Sequence, residues 1–263
     1  MRLAVAATAP FGADVLERLA ERHEITALLT RPDAPRGRGR KTAPPPAKET
    51  AEGLGIPVLQ PARPEPGLEL GADTVVIAAY GLLIPEAVLA ERLWLNVHPS
   101  LLPRWRGAAP VERAIMAGDA ETGVTIHLTV KELDAGPVAA QRAFPIGDQD
   151  DAGAVFAKAA PLAVDLLDDV LPSPEFTPQD EHGVTYAEKI SAADRELDWD
   201  EPPDELLNKI RALSPHIGAR AQLHGRGVTI WKARVAGGRL EPLEVQPDGK
   251  RRMTYDEFVR GLR

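Results

Sequence analysis

Apolar runs and amphipathic segments alternate along the first part of the chain. Short apolar runs bounded by turn residues are typical of buried strands, and apolar positions three and four apart are typical of helices that bury one face. The predicted strands are Leu3–Ala7, Glu24–Leu29, Pro57–Gln60, Asp73–Ala79 and Trp94–Val97, and the predicted helices are Ala13–Glu21, Lys48–Leu54, Pro85–Ala90 and Val111–Met116. This alternation predicts an α/β fold, namely a Rossmann-like, doubly wound and mostly parallel sheet.

A pair of strands and a long helix follow in the pattern. Gly123–Val130 and Val138–Phe144 are predicted to form a hairpin appended to the sheet, and apolar residues at helical spacing cover Ala154–Val170. Pro161 lies inside that helix and is expected to kink it. Together with the preceding elements these segments predict a first domain over residues 1–175.

The rest of the chain changes character. Residues 172–198 are polar with little periodicity, and we interpret residues 176–202 as a linker. Asp204–Leu213 has the spacing of a short amphipathic helix. Three short strands with glycine turns come next: Ala219–Leu223, Val228–Ala233 and Leu240–Val245. They predict a small all-β module over residues 203–263.

Composition narrows the class of protein. The 263 residues are 44% hydrophobic, which is enough for a substantial core and for one or two domains. No apolar run approaches the length of a membrane span, and the start of the chain enters a strand without the architecture of a signal peptide. Cysteine is absent, which excludes disulfides and thiolate metal sites, and the six histidines lack metal-binding spacing. We expect a cytoplasmic protein without a metal or a membrane contact.

Charge argues against general nucleic-acid binding but leaves one local exception. The formal net charge is −8, whereas phosphate contacts require lysine and arginine. One segment, Arg36-Gly37-Arg38-Gly39-Arg40-Lys41, is strongly basic and lies between prolines. Such a run is usually a solvated surface loop, but an arginine-rich loop that orders on RNA is also physically reasonable.

Candidate chemistry is concentrated around one predicted strand. Asn96 and His98 follow the apolar run Leu93–Leu95, so period-two alternation places both side chains on one face at the carboxyl end of that strand. An asparagine can donate to a developing oxyanion and a histidine can move a proton. Asp134, in a predicted turn, is a carboxylate that can orient and stabilise such a histidine. Taken singly, each of the three is more often a structural residue.

Longer motifs around these residues favour a catalytic role over a structural one. The patterns Asn-x-His-x-Ser-Leu-Leu-Pro over residues 96–103 and Arg-Trp-Arg-Gly-Ala-Ala-Pro over 104–110 resemble the 10-formyltetrahydrofolate-dependent formyltransferases. With residues 118–125 and 185–190, the chain most resembles the methionyl-tRNA formyltransferase branch of that family. The motifs are separated, occur in the right order and cover nearly the whole chain.

The resemblance implies a function and a set of site residues. It implies transfer of a formyl group from 10-formyltetrahydrofolate to the amino group of initiator methionyl-tRNA, a reaction that needs no metal. We expect a monomer, although the sequence itself carries no signal for the oligomeric state. It implies the formyltransferase fold in the first domain and a shortened OB-like, tRNA-binding barrel in the second. The implied catalytic residues are Asn96, His98 and Asp134; the implied folate-binding residues are Ser100, Leu101, Leu102, Pro103, Tyr80 and Gly81; the implied tRNA-binding residues are Arg36, Arg38, Arg40 and Lys41.

The chain departs from the family pattern at two places, and alternatives stay open. The first turn has Ala7-Thr8-Ala9 in place of Gly-Thr-Pro. The C-terminal module is short between Ala233 and Leu240 and has Ser214-Pro215-His216-Ile217 in place of Asn-Pro-Trp-Pro. A nucleotide-linked amino-sugar N-formyltransferase shares the Asn-x-His, Ser-Leu-Leu-Pro and aspartate features. A third possibility is an RNA-binding protein on a degenerate scaffold. The basic segment and the motif at 185–190 favour tRNA, and the intact catalytic residues favour an enzyme.

Overall fold

A seven-stranded sheet with helices forms the centre of the first part of the chain in the computed structural model, which describes residues 1–36 and 41–262. The strands of this part are β1 (Arg2–Ala7), β2 (Glu24–Leu29), β3 (Ala34–Arg36), β4 (Lys41–Ala43), β5 (Val58–Leu59), β6 (Thr74–Ala78), β7 (Leu93–His98), β8 (Arg106–Gly107), β9 (Glu121–Leu128) and β10 (Val138–Pro145). The helices are α1 (Pro10–Ala20), α2 (Pro46–Gly53), α3 (Glu86–Leu89), α4 (Pro110–Met116) and α5 (Ala152–Val170).

The order of the central sheet confirms the predicted fold class. The order is β10-β9-β7-β6-β1-β2-β5, with β1 parallel to β2 and β6, β6 parallel to β7, β2 parallel to β5, and β9 antiparallel to β7. β2 and β5, which come next along the chain, lie on one side of β1, and β6 and β7, which follow them, lie on the other side. In open α/β sheets, ligands bind outside the carboxyl ends of the strands near such a reversal. The carboxyl ends of β6 and β7 lie at this edge.

Close packing explains where α1 begins. The helix begins at Pro10, three residues before the predicted start, because proline is well tolerated in the first turn, where its missing N–H has no helical partner. Gly12 approaches β6 so closely that an added Cβ atom would collide with the Ala78 carbonyl oxygen. A glycine at this position therefore lets the helix lie directly on the sheet.

The chain forms two compact units, each assembled from separate stretches. One contains residues 1–106, 123–143 and 157–185, and the other contains residues 107–122, 144–156 and 186 onward. The domain boundaries given above, 1–175, 176–202 and 203–263, stay a prediction. Sequence periodicity treats each domain as one continuous run, so it has no signal for interleaved units.

The C-terminal part contains the antiparallel sheet that the sequence predicts. Its elements are β11 (Tyr186–Ala187), a 3-10 helix (Ala193–Arg195), α6 (Pro203–Leu213), β12 (Ala219–Leu223), β13 (Arg226–Ala236), β14 (Arg239–Pro247), β15 (Met253–Thr254) and α7 (Tyr255–Arg260). The sheet order is β12-β13-β14-β15, and Ile210, Ile230, Val245 and Phe258 share its core with α6 and α7. The prediction missed α7, although Thr254 and Glu257 form a capping box that is readable in the sequence.

The helices were compared with the requirements of a membrane span. Over residues 1–36 and 41–262, none of them combines the length and the apolar character that crossing a bilayer requires.

Candidate active site

Strand β7 presents Asn96 and His98 on one face, as alternation predicts. Trp94 shares that face, and its indole Nε1 donates a hydrogen bond to the Val88 carbonyl at 3.2 Å. The Trp94 ring is buried in the core, which fixes the strand in the sheet. His98 is only 4% exposed. The two polar side chains therefore project from a rigid element rather than from a mobile loop.

The loop between β9 and β10, residues 129–137, brings Asp134 to the same place. Asp134 Oδ1 accepts a hydrogen bond from Asn96 Nδ2 at 3.2 Å, and Asp134 Oδ2 lies 3.7 Å from His98 Nδ1. The structure thus brings together the three residues that the resemblance implies are catalytic. At 3.7 Å the carboxylate is beyond hydrogen-bond range of His98, so it acts on the imidazole through its charge.

A backbone carbonyl, rather than Asp134, makes the hydrogen bond that orients His98. His98 Nε2 donates to the Trp105 carbonyl at 2.8 Å. A carbonyl only accepts, so Nε2 carries the hydrogen, and in the neutral ring the lone pair is on Nδ1, which faces Asp134. Burial lowers the pKa of His98, and it outweighs the nearby Asp134 carboxylate, which raises it. His98 is therefore a neutral base at neutral pH.

His127 is a site residue that sequence reasoning missed. It lies directly opposite Asn96 in the antiparallel β7–β9 pair and is 1% exposed. Its Nδ1 donates to the Leu128 carbonyl at 3.0 Å, so its Nε2 is left to accept from Asn96 Nδ2, also at 3.0 Å. A single histidine in strand β9 could have been noticed in the sequence as a candidate site residue. Its pairing with Asn96, however, follows only from the strand register.

The amide of Asn96 is held by these two neighbours. One Nδ2 hydrogen points to His127 at 3.0 Å and the other to Asp134 at 3.2 Å. The bond to Asp134 is the longer of the two. A substrate oxygen that gains negative charge can replace the carboxylate as acceptor, which is how an amide stabilises an oxyanion.

The Ser100–Pro103 segment, which the resemblance assigns to folate, is fixed by internal hydrogen bonds. Ser100 is fully buried, and its Oγ donates to the Arg104 carbonyl at 2.7 Å. Leu102 donates from its backbone N–H to Thr125 Oγ1 at 3.2 Å and accepts at its carbonyl from Gln141 Nε2 at 2.9 Å. The segment leaves β7 in one defined path beside the catalytic cluster.

Tyr80 and Gly81, also assigned to folate, differ in their surroundings. The Tyr80 ring is 2% exposed in the core, and burial raises its pKa to about 12. Gly81 is exposed with a φ of 76°, a conformation that favours glycine. The Tyr80 side chain is thus enclosed by the protein, whereas the backbone at Gly81 is exposed.

Two neighbouring loops expose apolar side chains beside the site. Lys131 Nζ lies 3.2 Å from Glu86 Oε2, so the 129–137 loop meets the start of α3, just after the 80–85 loop. Leu83 is 85% exposed and Leu133 is 57% exposed. Exposed leucines in two adjoining loops are suited to cover a flat, partly apolar ligand.

The two ends of the basic segment, Arg36 and Lys41, belong to β3 and β4. The backbones of Arg36 and Lys41 are partners in this antiparallel pair. Arg38 and Arg40, with the two glycines of the segment, lie outside the described residues. The role of these four basic residues in tRNA binding stays a prediction.

Comparison with known families identifies what the chain is similar to. Residues 1–171 match the family described as formyl transferase, and residues 189–239 match the formyl transferase C-terminal domain. The methionyl-tRNA formyltransferase of Methylococcus capsulatus is 40% identical over 296 residues, covering 98% of this chain and 96% of that protein.

Solved structures share the fold. HypX from Aquifex aeolicus in complex with tetrahydrofolic acid matches 98% of this chain with a TM-score of 0.69 and 19% identity; the chain spans 46% of HypX, about half its length. A methionyl-tRNA formyltransferase from Clostridium thermocellum matches 94% of this chain and 98% of its own, with a TM-score of 0.67 and 15% identity.

Proposed function

Because this chain belongs to the formyl transferase family, we propose that it transfers a formyl group to the amino group of initiator methionyl-tRNA, for translation initiation. The relative that is 40% identical over nearly its full length carries the name methionyl-tRNA formyltransferase. The observation that carries the proposal is the cluster of Asn96, buried His98 and half-buried Asp134 at the carboxyl end of β7. These are the groups that acyl transfer to an amine requires.

The donor is a folate derivative, and we propose 10-formyltetrahydrofolate. HypX, which shares the fold, was solved with tetrahydrofolic acid. In this chain, the Ser100–Pro103 segment and the 80–85 loop follow the carboxyl ends of β7 and β6, and Leu83 and Leu133 are exposed leucines of the 80–85 and 129–137 loops. A pteridine ring has a flat face and a polar edge, which suits a site of leucines and backbone groups.

The cluster can perform each step of the transfer. The neutral amine attacks the formyl carbon, so a carbon–nitrogen bond forms and the formyl oxygen becomes negative. Asn96 Nδ2 donates to that oxygen. The attacking nitrogen then loses a proton to His98 Nδ1, Asp134 stabilises the imidazolium, and the bond from carbon to the folate nitrogen breaks as His98 returns the proton to that nitrogen.

The charge of Asp134 should be visible in the pH dependence of the reaction. Asp134 raises the pKa of His98, against burial. Asp134→Asn should therefore lose most activity, and the midpoint of the acidic limb of its residual kcat profile should move to lower pH. The measurement is single-turnover formyl transfer at saturating substrates. The acceptor amine titrates alike in both enzymes, so a difference between the two profiles reports on His98. An unchanged rate together with an unmoved midpoint would reduce Asp134 to a turn residue.

The partner in the proposed reaction is a large polyanion, and the basic segment is the proposed contact. Replacing Arg36, Arg38, Arg40 and Lys41 with glutamine should raise KM for methionyl-tRNA and lower the dependence of log affinity on log salt. The slope should fall by roughly 0.7 to 0.9 for each phosphate contact that is lost. Folate affinity should stay unchanged, because the donor is held by other segments.

The matched control keeps the charge. Arg36→Lys, Arg38→Lys and Arg40→Lys together should preserve the salt slope, because counterion release depends on charge rather than on the guanidinium. If the glutamine variant has the KM and salt slope of the wild type, the segment does not contact tRNA.

One assay separates the proposed acceptor from the alternative. The protein is incubated with 10-formyltetrahydrofolate and either charged initiator tRNA or a nucleotide-linked amino sugar. We expect formylation of the tRNA only. Formylation of the sugar would establish the amino-sugar N-formyltransferase, which the comparisons do not favour. Formylation of neither substrate would leave the RNA-binding protein on a degenerate scaffold. We further propose that the protein acts in the cytoplasm as a monomer.

A further inference from the structure

The first residues of the stretch interpreted above as a linker contact both loops that surround His98. Residues 177–185, called the brace segment here, begin with Thr177, whose backbone exchanges two hydrogen bonds with Val138, at 2.8 and 2.9 Å. They end at Thr185, whose Oγ1 accepts from the Trp105 backbone N–H at 2.9 Å. The Thr185 carbonyl accepts from the Arg106 N–H, also at 2.9 Å. The segment therefore ties the start of β10, directly after the 129–137 loop, to residues 105 and 106.

Gln179 is the side chain that connects the two loops. Its Nε2 donates to the carbonyls of Asp134 and Gly136, both at 2.7 Å. Its Oε1 accepts from Arg106 Nε at 3.0 Å and from Arg106 Nη2 at 2.7 Å. Two donors and two acceptor positions of one amide are thus all occupied. The opposite orientation would place oxygen against two carbonyls, so the amide has one possible direction.

The loop that Gln179 holds is conformationally demanding. Asp134 has a φ of 47°, the left-handed region that is unfavourable for a residue with a Cβ atom. Gly136 lies so close to the Leu128 carbonyl oxygen that a side chain would collide with it. A strained turn persists only when its surroundings hold it. The two hydrogen bonds from Gln179 supply that restraint at the residue that carries the carboxylate.

We propose that Gln179 is a positioning residue of the active site, which fixes the main chain of Asp134 so that its carboxylate stays against Asn96 and His98. Gln179 touches no reacting atom and acts through Asp134. The kinetic consequence rests on the proposed function, whereas the positioning itself does not. Among the described residues, the titratable side chains that face His98 are Asp134, from the loop, and His127, from β9.

The test compares two substitutions with a control. Gln179→Leu removes all four hydrogen bonds at similar size. Gln179→Glu keeps the acceptor for Arg106 but cannot donate to the two carbonyls. Gln149→Leu removes an exposed glutamine of another loop and should behave as the wild type. We expect both Gln179 variants to lose about tenfold to a hundredfold in kcat, with KM for methionyl-tRNA near the wild-type value. A catalytic group that is displaced by about 1 Å can lower the rate by up to about a hundredfold.

The second measurement follows the His98 imidazole by NMR titration without substrates. In Gln179→Leu the His98 pKa should fall below that of the wild type, because a displaced Asp134 raises it less. Unchanged kcat together with an unchanged His98 titration would overturn the proposal, even if the melting temperature fell. A shifted titration in a protein that formylates no acceptor would support the positioning and refute the proposed function. If Gln179→Leu does not fold, Gln179→Glu carries the kinetic test.

Discussion

Replacing His98 with alanine should lower kcat for formyl transfer by about a hundredfold to ten-thousandfold, the usual contribution of a general acid–base group. His98 is the buried base whose lone pair on Nδ1 faces Asp134, and its Nε2 is held by the Trp105 carbonyl at 2.8 Å. Affinity for a folate analogue should be retained, because the loss affects the transition state rather than donor binding.

Two further variants make the His98 result interpretable. His98→Gln keeps a donor that can reach the Trp105 carbonyl, so it should preserve the fold better than alanine while remaining as inactive. His216→Ala changes an exposed histidine outside the brace segment and should leave the rate unchanged. Single-turnover formyl transfer is the measurement. A His98→Ala rate within a few-fold of the wild type would refute the proton-transfer role.

Replacing Asn96 with alanine should lower kcat by about a hundredfold to a thousandfold, or roughly 3–4 kcal/mol of transition-state stabilisation. Asn96 Nδ2 is the donor whose longer bond, 3.2 Å to Asp134, can pass to the formyl oxygen as it becomes negative. The substitution also deprives His127 Nε2 of its donor at 3.0 Å. A fall in kcat with KM for both substrates near normal is the signature of an interaction made mainly in the transition state.

The control for Asn96 is the other asparagine of the sequence, Asn208. It lies in α6 and accepts from Arg211 Nη2 at 3.1 Å. Asn208→Ala should change stability more than kcat. If Asn96→Ala keeps wild-type kcat, the amide is only a structural partner of Asp134 and His127, and the oxyanion must be stabilised by another group.

The local sequence pattern was sufficient to predict most helices and strands and two of the site residues, Asn96 and His98. β7 could be read from its apolar run, and alternation alone placed Asn96 and His98 on one face, because side-chain direction in a strand depends only on neighbouring residues. The order of apolar strands and amphipathic helices likewise determined the parallel sheet. Asp134 needed the family motif, because an aspartate before glycine is an ordinary turn pattern.

Tertiary structure alone decided how those residues are held. His127 is 31 residues from Asn96 and meets it through the β7–β9 register; Gln179 is 45 residues from Asp134 and meets it through the path of the brace segment. The partner that orients His98 is the carbonyl of Trp105, a group that every residue possesses. The sequence by itself therefore determined the fold class, the family and the chemical groups available. The structure decided which nitrogen of His98 holds the lone pair and what fixes Asp134, because hydrogen bonds between distant segments depend on register and loop path, for which short-range periodicity carries no signal.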